Sequence, residues 1–233
     1  MTGRKEGALK RRIQMIRYYK NLILTLSEIR EKPTLLIHAL TGCSLRCYQC
    51  FNYEELICSP NEYYYVIDDI LKYIKRQEDL FDFIVFSGGE YLNAPIDDLK
   101  DDLNKIRSVT NKPIIVYTNG TNYEKMVLLS KLNLVDGYHI DMKLPYHLLT
   151  KDDEELVELT LGKKINDLNF FQNILKSIEH VIKSDKGYSQ VRSVRYPFMS
   201  QSAFEENEIY IQKLNEIYEK EVPFYLNDFL YEE

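Results

Sequence analysis

Six short apolar runs divide the chain: TLLIHAL, FDFIVFSGG, PIIVYTNG, LVDGYHIDMK, SQVRSVRYP and PFYLND. Each is brief and bounded by turn residues, so each reads as a buried strand. Between them the period changes, and residues 61–77, 95–108, 123–131, 167–184 and 203–220 carry apolar side chains at helical spacing. Strand and helix in alternation predict a parallel sheet with right-handed crossovers. Six strands are too few for a closed eight-stranded barrel. The expected fold class is therefore α/β, a partial TIM-like (β/α)6 barrel with a parallel curved sheet.

Ahead of the first strand, Ile13, Ile16, Tyr19, Leu22, Ile23, Leu26 and Ile29 recur every three or four positions, and Pro33 follows. That spacing predicts an amphipathic helix over residues 13–29. The expected organisation is a basic N-terminal helical segment, 1–32, followed by one barrel domain, 33–233. Residues 145–164 form a charged connection that reads either as a short helix or as a lid over the site.

Composition narrows the function classes. With 233 residues the chain can bury a core without covalent staples. Its four cysteines therefore call for chemistry or packing as their explanation. No apolar run approaches the roughly 18 residues of a membrane span, and the N-terminus lacks the apolar core of a secretory signal. A reducing cytoplasm is the expected compartment, where the thiols stay free to bind metal. The net charge is −6, yet Arg4, Lys5, Lys10, Arg11, Arg12, Arg17 and Lys20 face only Glu6 in the first twenty residues. Such an arm can touch nucleic acid, anionic lipid or an acidic protein partner, and it suits a solvated helix face at least as well. No reading motif accompanies it and the body is acidic, so dedicated nucleic-acid binding is not expected.

In parallel α/β folds the loops leaving the C-terminal strand ends build the site. The unusual clusters all fall there. Cys43, Cys47 and Cys50 follow the first strand, Ser87 to Glu90 the second and Thr118 to Gly120 the third; Asp141 to Lys143 end the fourth, and Arg192 lies in the fifth.

The spacing C-x3-C-x2-C puts three thiols within eight residues. Thiolates select zinc or iron-sulfur chemistry. Three thiolates on a cubane cluster leave one iron open, whereas a zinc site would need a fourth ligand, from Cys58 or His38. Cys58 stands alone without a second C-x-x-C half, and His38 sits inside an apolar strand, where a hydrogen-bonded core histidine is the default. SGGE combines two glycines that let backbone approach a ligand with a carboxylate suited to an ammonium group; it also suits a tight turn with a solvated glutamate. Arg192 can grip a carboxylate through two parallel hydrogen bonds, and strict alternation sends Arg195 to the opposite face. Asn119-Gly120 is a common turn pair, and Asp141 with Lys143 can form an ion pair at a strand end.

CSLRCYQC, followed in order by SGGE, TNG and DMK, resembles the signature of the radical S-adenosylmethionine (radical SAM) superfamily over residues 34–197. The resemblance implies a 4Fe-4S cluster on Cys43, Cys47 and Cys50, with S-adenosyl-L-methionine on the open iron. It implies that Gly88, Gly89 and Glu90 hold the cofactor's amino group and Arg192 its carboxylate. Thr118, Asn119, Asp141 and Lys143 would meet the ribose and polar edge, and Gln49 the adenine through its backbone. No catalytic side chain beyond cluster and cofactor is expected. Tyr117 stands where many related activases have an aspartate, and Gln49 where most of the superfamily has an aromatic. Phe51-Asn52, LVDGYHIDMKLP and RSVRYP look like the activating protein of anaerobic ribonucleotide reductase. That likeness implies a glycyl-radical enzyme as partner and an electron donor such as flavodoxin or ferredoxin. The alternatives are a small-molecule enzyme like the 7-carboxy-7-deazaguanine synthases, or a non-catalytic cluster-binding protein.

Overall fold

The computed structural model describes residues 15–58, 63–165 and 167–230. In chain order the first elements are β1 (Tyr18–Tyr19), β2 (Ile23–Thr25), β3 (Thr34–Ala39), β4 (Tyr64–Tyr65), α1 (Ile67–Gln77), β5 (Phe83–Gly88) and α2 (Ile96–Arg107). Then come β6 (Ile114–Thr118), α3 (Tyr123–Lys131), β7 (Gly137–Asp141), α4 (Glu154–Leu161), α5 (Leu168–Lys183), β8 (Gln190–Val194), α6 (Gln201–Tyr218) and β9 (Phe224–Asn227).

The six strands read from sequence are β3, β5, β6, β7, β8 and β9, and they pair in parallel in that order. Among the described residues the sheet runs β4-β1-β3-β5-β6-β7-β8-β9, with β2 also on β3, so it ends in two edges and does not close. The strands read as continuous apolar runs because both faces are covered. Leu35, Ile37, Ile84, Phe86, Ile114, Val116 and Ile140 pack beneath the helices, while Leu36, Phe83, Val85 and Ile115 form a smaller cluster on the concave face. Helix α1 shows the logic of the outer layer: Ile67, Ile70 and Ile74 are buried, with Asp68 and Asp69 in the first turn and Lys75 and Arg76 in the last.

The helix expected over residues 13–29 is not formed in the part of that segment that is described; residues 1–14 lie outside the described residues. Residues 18–25 instead run antiparallel to β3, with Tyr18 opposite Ala39 and Ile23 to Thr25 opposite Leu36 to Thr34. From Met15 to Tyr18 exposure alternates, Ile16 and Tyr18 inward, which is the period of a strand. Without this segment the outer edge of β3 would present unpaired N–H and C=O groups, and satisfying them outweighs a helical spacing whose apolar residues Ile23 and Leu26 end up exposed. The Tyr18 hydroxyl, fully buried, donates to Asp102 of α2 at 2.7 Å. The division drawn at residue 32 thus falls inside one sheet. Helix α1 likewise starts later than residue 61, after β4 has paired with β1.

Candidate active site

The cysteine loop, residues 40–52, leaves β3 and folds over the C-terminal end of β5. It is held there by backbone. The Glu90 amide donates to the Gly42 carbonyl at 2.7 Å, the Thr41 hydroxyl to the Glu90 carbonyl at 2.8 Å, and the Asn52 side chain to the Gly88 carbonyl at 2.7 Å. This contact explains the two glycines. A methyl at Gly89 would overlap the Gly42 carbonyl oxygen and lie 2.8 Å from its carbon; one at Gly88, where φ is +116°, would overlap the Ala39 carbonyl oxygen. Only bare backbone allows so close an approach.

All three loop thiols are partly buried; Cys47 feels the charge of Cys43 and Cys50, and Cys43 that of Cys50. The Cys43 sulfur accepts from the Leu45 amide at 3.4 Å and from the Asn119 side chain at 3.7 Å. Burial pushes the Cys43 thiol up and the Cys47 thiol up to about 11. A metal bound here would have to displace the thiol protons that burial favours. Cys58 is exposed, at the end of a wide helical turn, Tyr53–Cys58, that follows the loop. His38 lies in β3 on the concave face, but its buried Nδ1 has no hydrogen-bond partner, contrary to the hydrogen-bonded core histidine expected there. Among the described residues no three His, Cys, Asp or Glu side chains converge on a single ion position.

Glu90 is buried and ties three strand ends together. Its carboxylate accepts from the Thr118 hydroxyl at 2.9 Å, the Asn119 amide at 2.7 Å and the Leu92 amide at 3.3 Å. Burial nonetheless raises its pKa to about 7, against the pull of those donors. Thr118 and Asn119, expected at the ribose, are thus engaged with Glu90 and Cys43. Gln49 is exposed, with φ at +42° in the turn between Cys47 and Cys50.

Across the rim, Asp141 pairs with Lys143 at 2.7 Å and lies 3.7 Å from Arg192 on the neighbouring strand. Burial would raise the Asp141 carboxyl, but Lys143 and Arg192 overcome it and hold the pKa below the usual range. The Arg192 guanidinium sits 4.0 Å from the centre of the Tyr117 ring, and its buried Nε has no partner. Tyr117 in turn stacks on His139 at 4.7 Å and donates to Glu28, from the turn that follows β2. A cation therefore lies over Tyr117 where the resemblance placed a second carboxylate. Arg195 points to the other side, to Gln201 at 2.6 Å and toward Asp228, as the alternation required.

Two partners of the loop were not legible in the sequence. Tyr48 packs into an aromatic cluster with Tyr196, Phe198 and Phe229, at 5.0 Å from Phe198. The connection 145–164 forms α4, whose last turn meets the loop: the Arg46 amide donates to Leu161 at 3.0 Å and the Tyr48 amide to Thr160 at 3.1 Å.

The donor set suits a thiolate-bound cluster with an amino-acid cofactor beside it. Three thiols sit on one loop, N–H groups point at a sulfur, a glycine cradle takes the loop, and an arginine offers an unpartnered N–H next to its counter-ions. The profile of the radical SAM superfamily matches residues 37–199, more than two-thirds of the sequence. The chain belongs to that superfamily, whose members use a 4Fe-4S cluster and S-adenosylmethionine. No curated protein sequence gives a significant match. Similar solved structures include coproporphyrinogen III oxidase (HemN) from Escherichia coli, described as a radical SAM enzyme, at 12% identity and TM-score 0.47 over 70% of this chain and 36% of that one. A second is a hexahistidine-tagged protein, anSMEcpe, with bound AdoMet, at 22% identity and TM-score 0.49 over 83% of this chain and 50% of that one. The chain thus spans about a third to a half of the length of these two. Among the described residues no helix is long and apolar enough to cross a membrane.

Proposed function

We propose that this radical SAM enzyme installs a glycyl radical on a partner protein, an anaerobic ribonucleotide reductase being the partner its motifs resemble most. The carrying observation is the lateral opening of the barrel. Strand β9 is the last of the sheet, with Tyr225 and Asn227 exposed, and the turn 26–31 faces it across a cavity of about 450 Å³ lined by Glu28, Arg30, Glu31, Gln190 and Arg192. Small-molecule pockets are walled mainly by apolar and aromatic side chains, with a few polar groups for orientation. A trench that adds Leu26 and Tyr225 to these charged and amide groups, beside a strand edge left unpaired among the described residues, suits a polypeptide segment better.

When bound, the cluster and S-adenosylmethionine supply a one-electron reductive cleavage to a 5′-deoxyadenosyl radical, the agent of hydrogen-atom abstraction. The protein's own part is placement. Cys43, Cys47 and Cys50 would hold the cluster, with Leu45 and Asn119 donating to Cys43. Arg192, steadied by Tyr117 and Asp141, would hold the cofactor's carboxylate. Gly88, Gly89 and Glu90 would face its amino group, with Thr118, Asn119, Asp141, Lys143 and the Gln49 backbone along its nucleoside. An acidic one-electron carrier such as flavodoxin or ferredoxin would supply the electron. The test is anaerobic incubation of the reconstituted protein with a glycyl-radical ribonucleotide reductase, reductant and S-adenosylmethionine. A glycyl doublet in the electron paramagnetic resonance spectrum is expected. Turnover of a pterin-like small substrate with no partner present would overturn this reading.

A further inference from the structure

The loop that carries the cysteines has no regular secondary structure, so its amides find no partners in a helix or a sheet ladder of their own. Helix α4 has the complementary need, because the last carbonyls of any helix lack intrahelical donors. The two meet. The amides of Arg46 and Tyr48, one on either side of Cys47, donate to the Leu161 and Thr160 carbonyls at 3.0 and 3.1 Å. Cys47 is therefore fixed from both flanks by one helix end.

The helix is built to present that end. Thr150 and Asp153 cap the turn ahead of it, the Thr150 amide donating to the Asp153 carboxylate at 2.8 Å. Val157, Thr160 and Leu161 are buried, and the Thr160 hydroxyl turns back to the Leu156 carbonyl at 2.8 Å, away from the loop. Gly162 then ends α4 in the left-handed region, at φ +64°, with its amide on the Glu158 carbonyl at 2.8 Å. Left-handed caps are commonly glycine, though asparagine also adopts them. Here a second constraint applies. A Cβ at residue 162 would overlap the Arg46 carbonyl oxygen and lie 2.7 Å from its carbon and 2.8 Å from the Arg46 Cβ. The loop rests on the bare Cα of this glycine.

We propose that the C-terminal turn of α4, closed by Gly162, is the positioning element that sets the Cys47 thiol for cluster capture. The segment that sequence leaves open as a lid is thus a brace under the cysteine loop. The inference is independent of which hydrogen the enzyme abstracts.

Three variants and one measurement on the unaltered chain test it. In the cluster-free chain, hydrogen exchange at the Arg46 and Tyr48 amides should be at least tenfold slower than in Gly162→Ala, the factor that one net hydrogen bond of about 1.4 kcal/mol carries. Gly162→Ala should lose most of its iron on anaerobic reconstitution, and the fraction that assembles should give a reduced-cluster resonance spectrum with altered g-values. A merely less stable fold would give less of an unchanged signal. Gly162→Asn, which tolerates the left-handed backbone but carries a Cβ, should fail in the same way. Gly187→Ala has φ +91° and nothing within 4 Å of the added carbon, so it should keep its iron. Full iron with an unchanged spectrum in Gly162→Ala would overturn the proposal, as would rescue by asparagine. Should the variants not fold, fast exchange at Arg46 and Tyr48 in the unaltered protein would overturn it alone.

Discussion

Replacing Glu90 by glutamine should change how the stability of the cluster-free protein depends on pH. Burial moves this carboxyl from its ordinary 4.5 to about 7 in the folded chain, despite three hydrogen-bond donors. A raised carboxyl pKa means that the folded state holds the proton more tightly than the unfolded state. The stabilisation is thus fully present below pH 4.5 and is lost as pH rises through about 7. At about 1.4 kcal/mol per unit, the ionised carboxylate costs the fold about 3 kcal/mol at pH 8 relative to pH 4. Glutamine carries no proton to lose, so its variant has an offset but no such slope. Urea unfolding of both proteins from pH 4 to pH 8 reads the difference directly. Wild type minus variant should fall by about 3 kcal/mol across that range. A difference that stays constant within about 0.5 kcal/mol would refute the claim that burial, rather than the surrounding donors, governs Glu90.

Gly89→Ala is a purely steric test, because Gly89 does not carry a positive φ while its added methyl would collide with the Gly42 carbonyl. Overpacking and the lost Glu90-to-Gly42 hydrogen bond together predict about 2–4 kcal/mol of destabilisation by urea unfolding, with reduced iron uptake. Cys58→Ser should reconstitute to the same iron content and near-400 nm absorption as the unaltered chain, since Cys58 is exposed beyond the C-x3-C-x2-C run. Tyr117→Leu removes the ring under Arg192 and should weaken S-adenosylmethionine binding by titration calorimetry, by about 0.5–2 kcal/mol. Unchanged affinity would mean that the ring does not steady Arg192.

Much of this architecture is legible in the chain because its signals are local. The run TLLIHA is buried on both faces as β3, and FIVFSG as β5, so an apolar strand bounded by turn residues meant what it suggested. The N-terminal segment departs from its local pattern for a physical reason. Residues 13–29 satisfy a helical spacing, but the partner that decides their structure is the unpaired edge of β3, which a local period cannot register. The alternation of Ile16 and Tyr18 was the available sign. At the rim, sequence order alone brought the cysteines, Gly88-Gly89, Asn119 and Asp141 to one end of the sheet. What it could not convey was reach: Glu28 to Tyr117, Thr41 to the Glu90 carbonyl, and the end of α4 to the cysteine loop. These contacts join residues far apart in the chain through backbone groups or common side chains, which leave no motif.

The central claim is that Cys43, Cys47 and Cys50 hold a cluster able to cleave S-adenosylmethionine. The most direct measurement is 5′-deoxyadenosine formed under anaerobic reduction by the reconstituted chain, set against the same chain with Cys47→Ala. Stoichiometric or greater product from the first and none from the second is the expected result. Intact S-adenosylmethionine with a fully loaded, reduced cluster, or equal product from both proteins, would contradict the account.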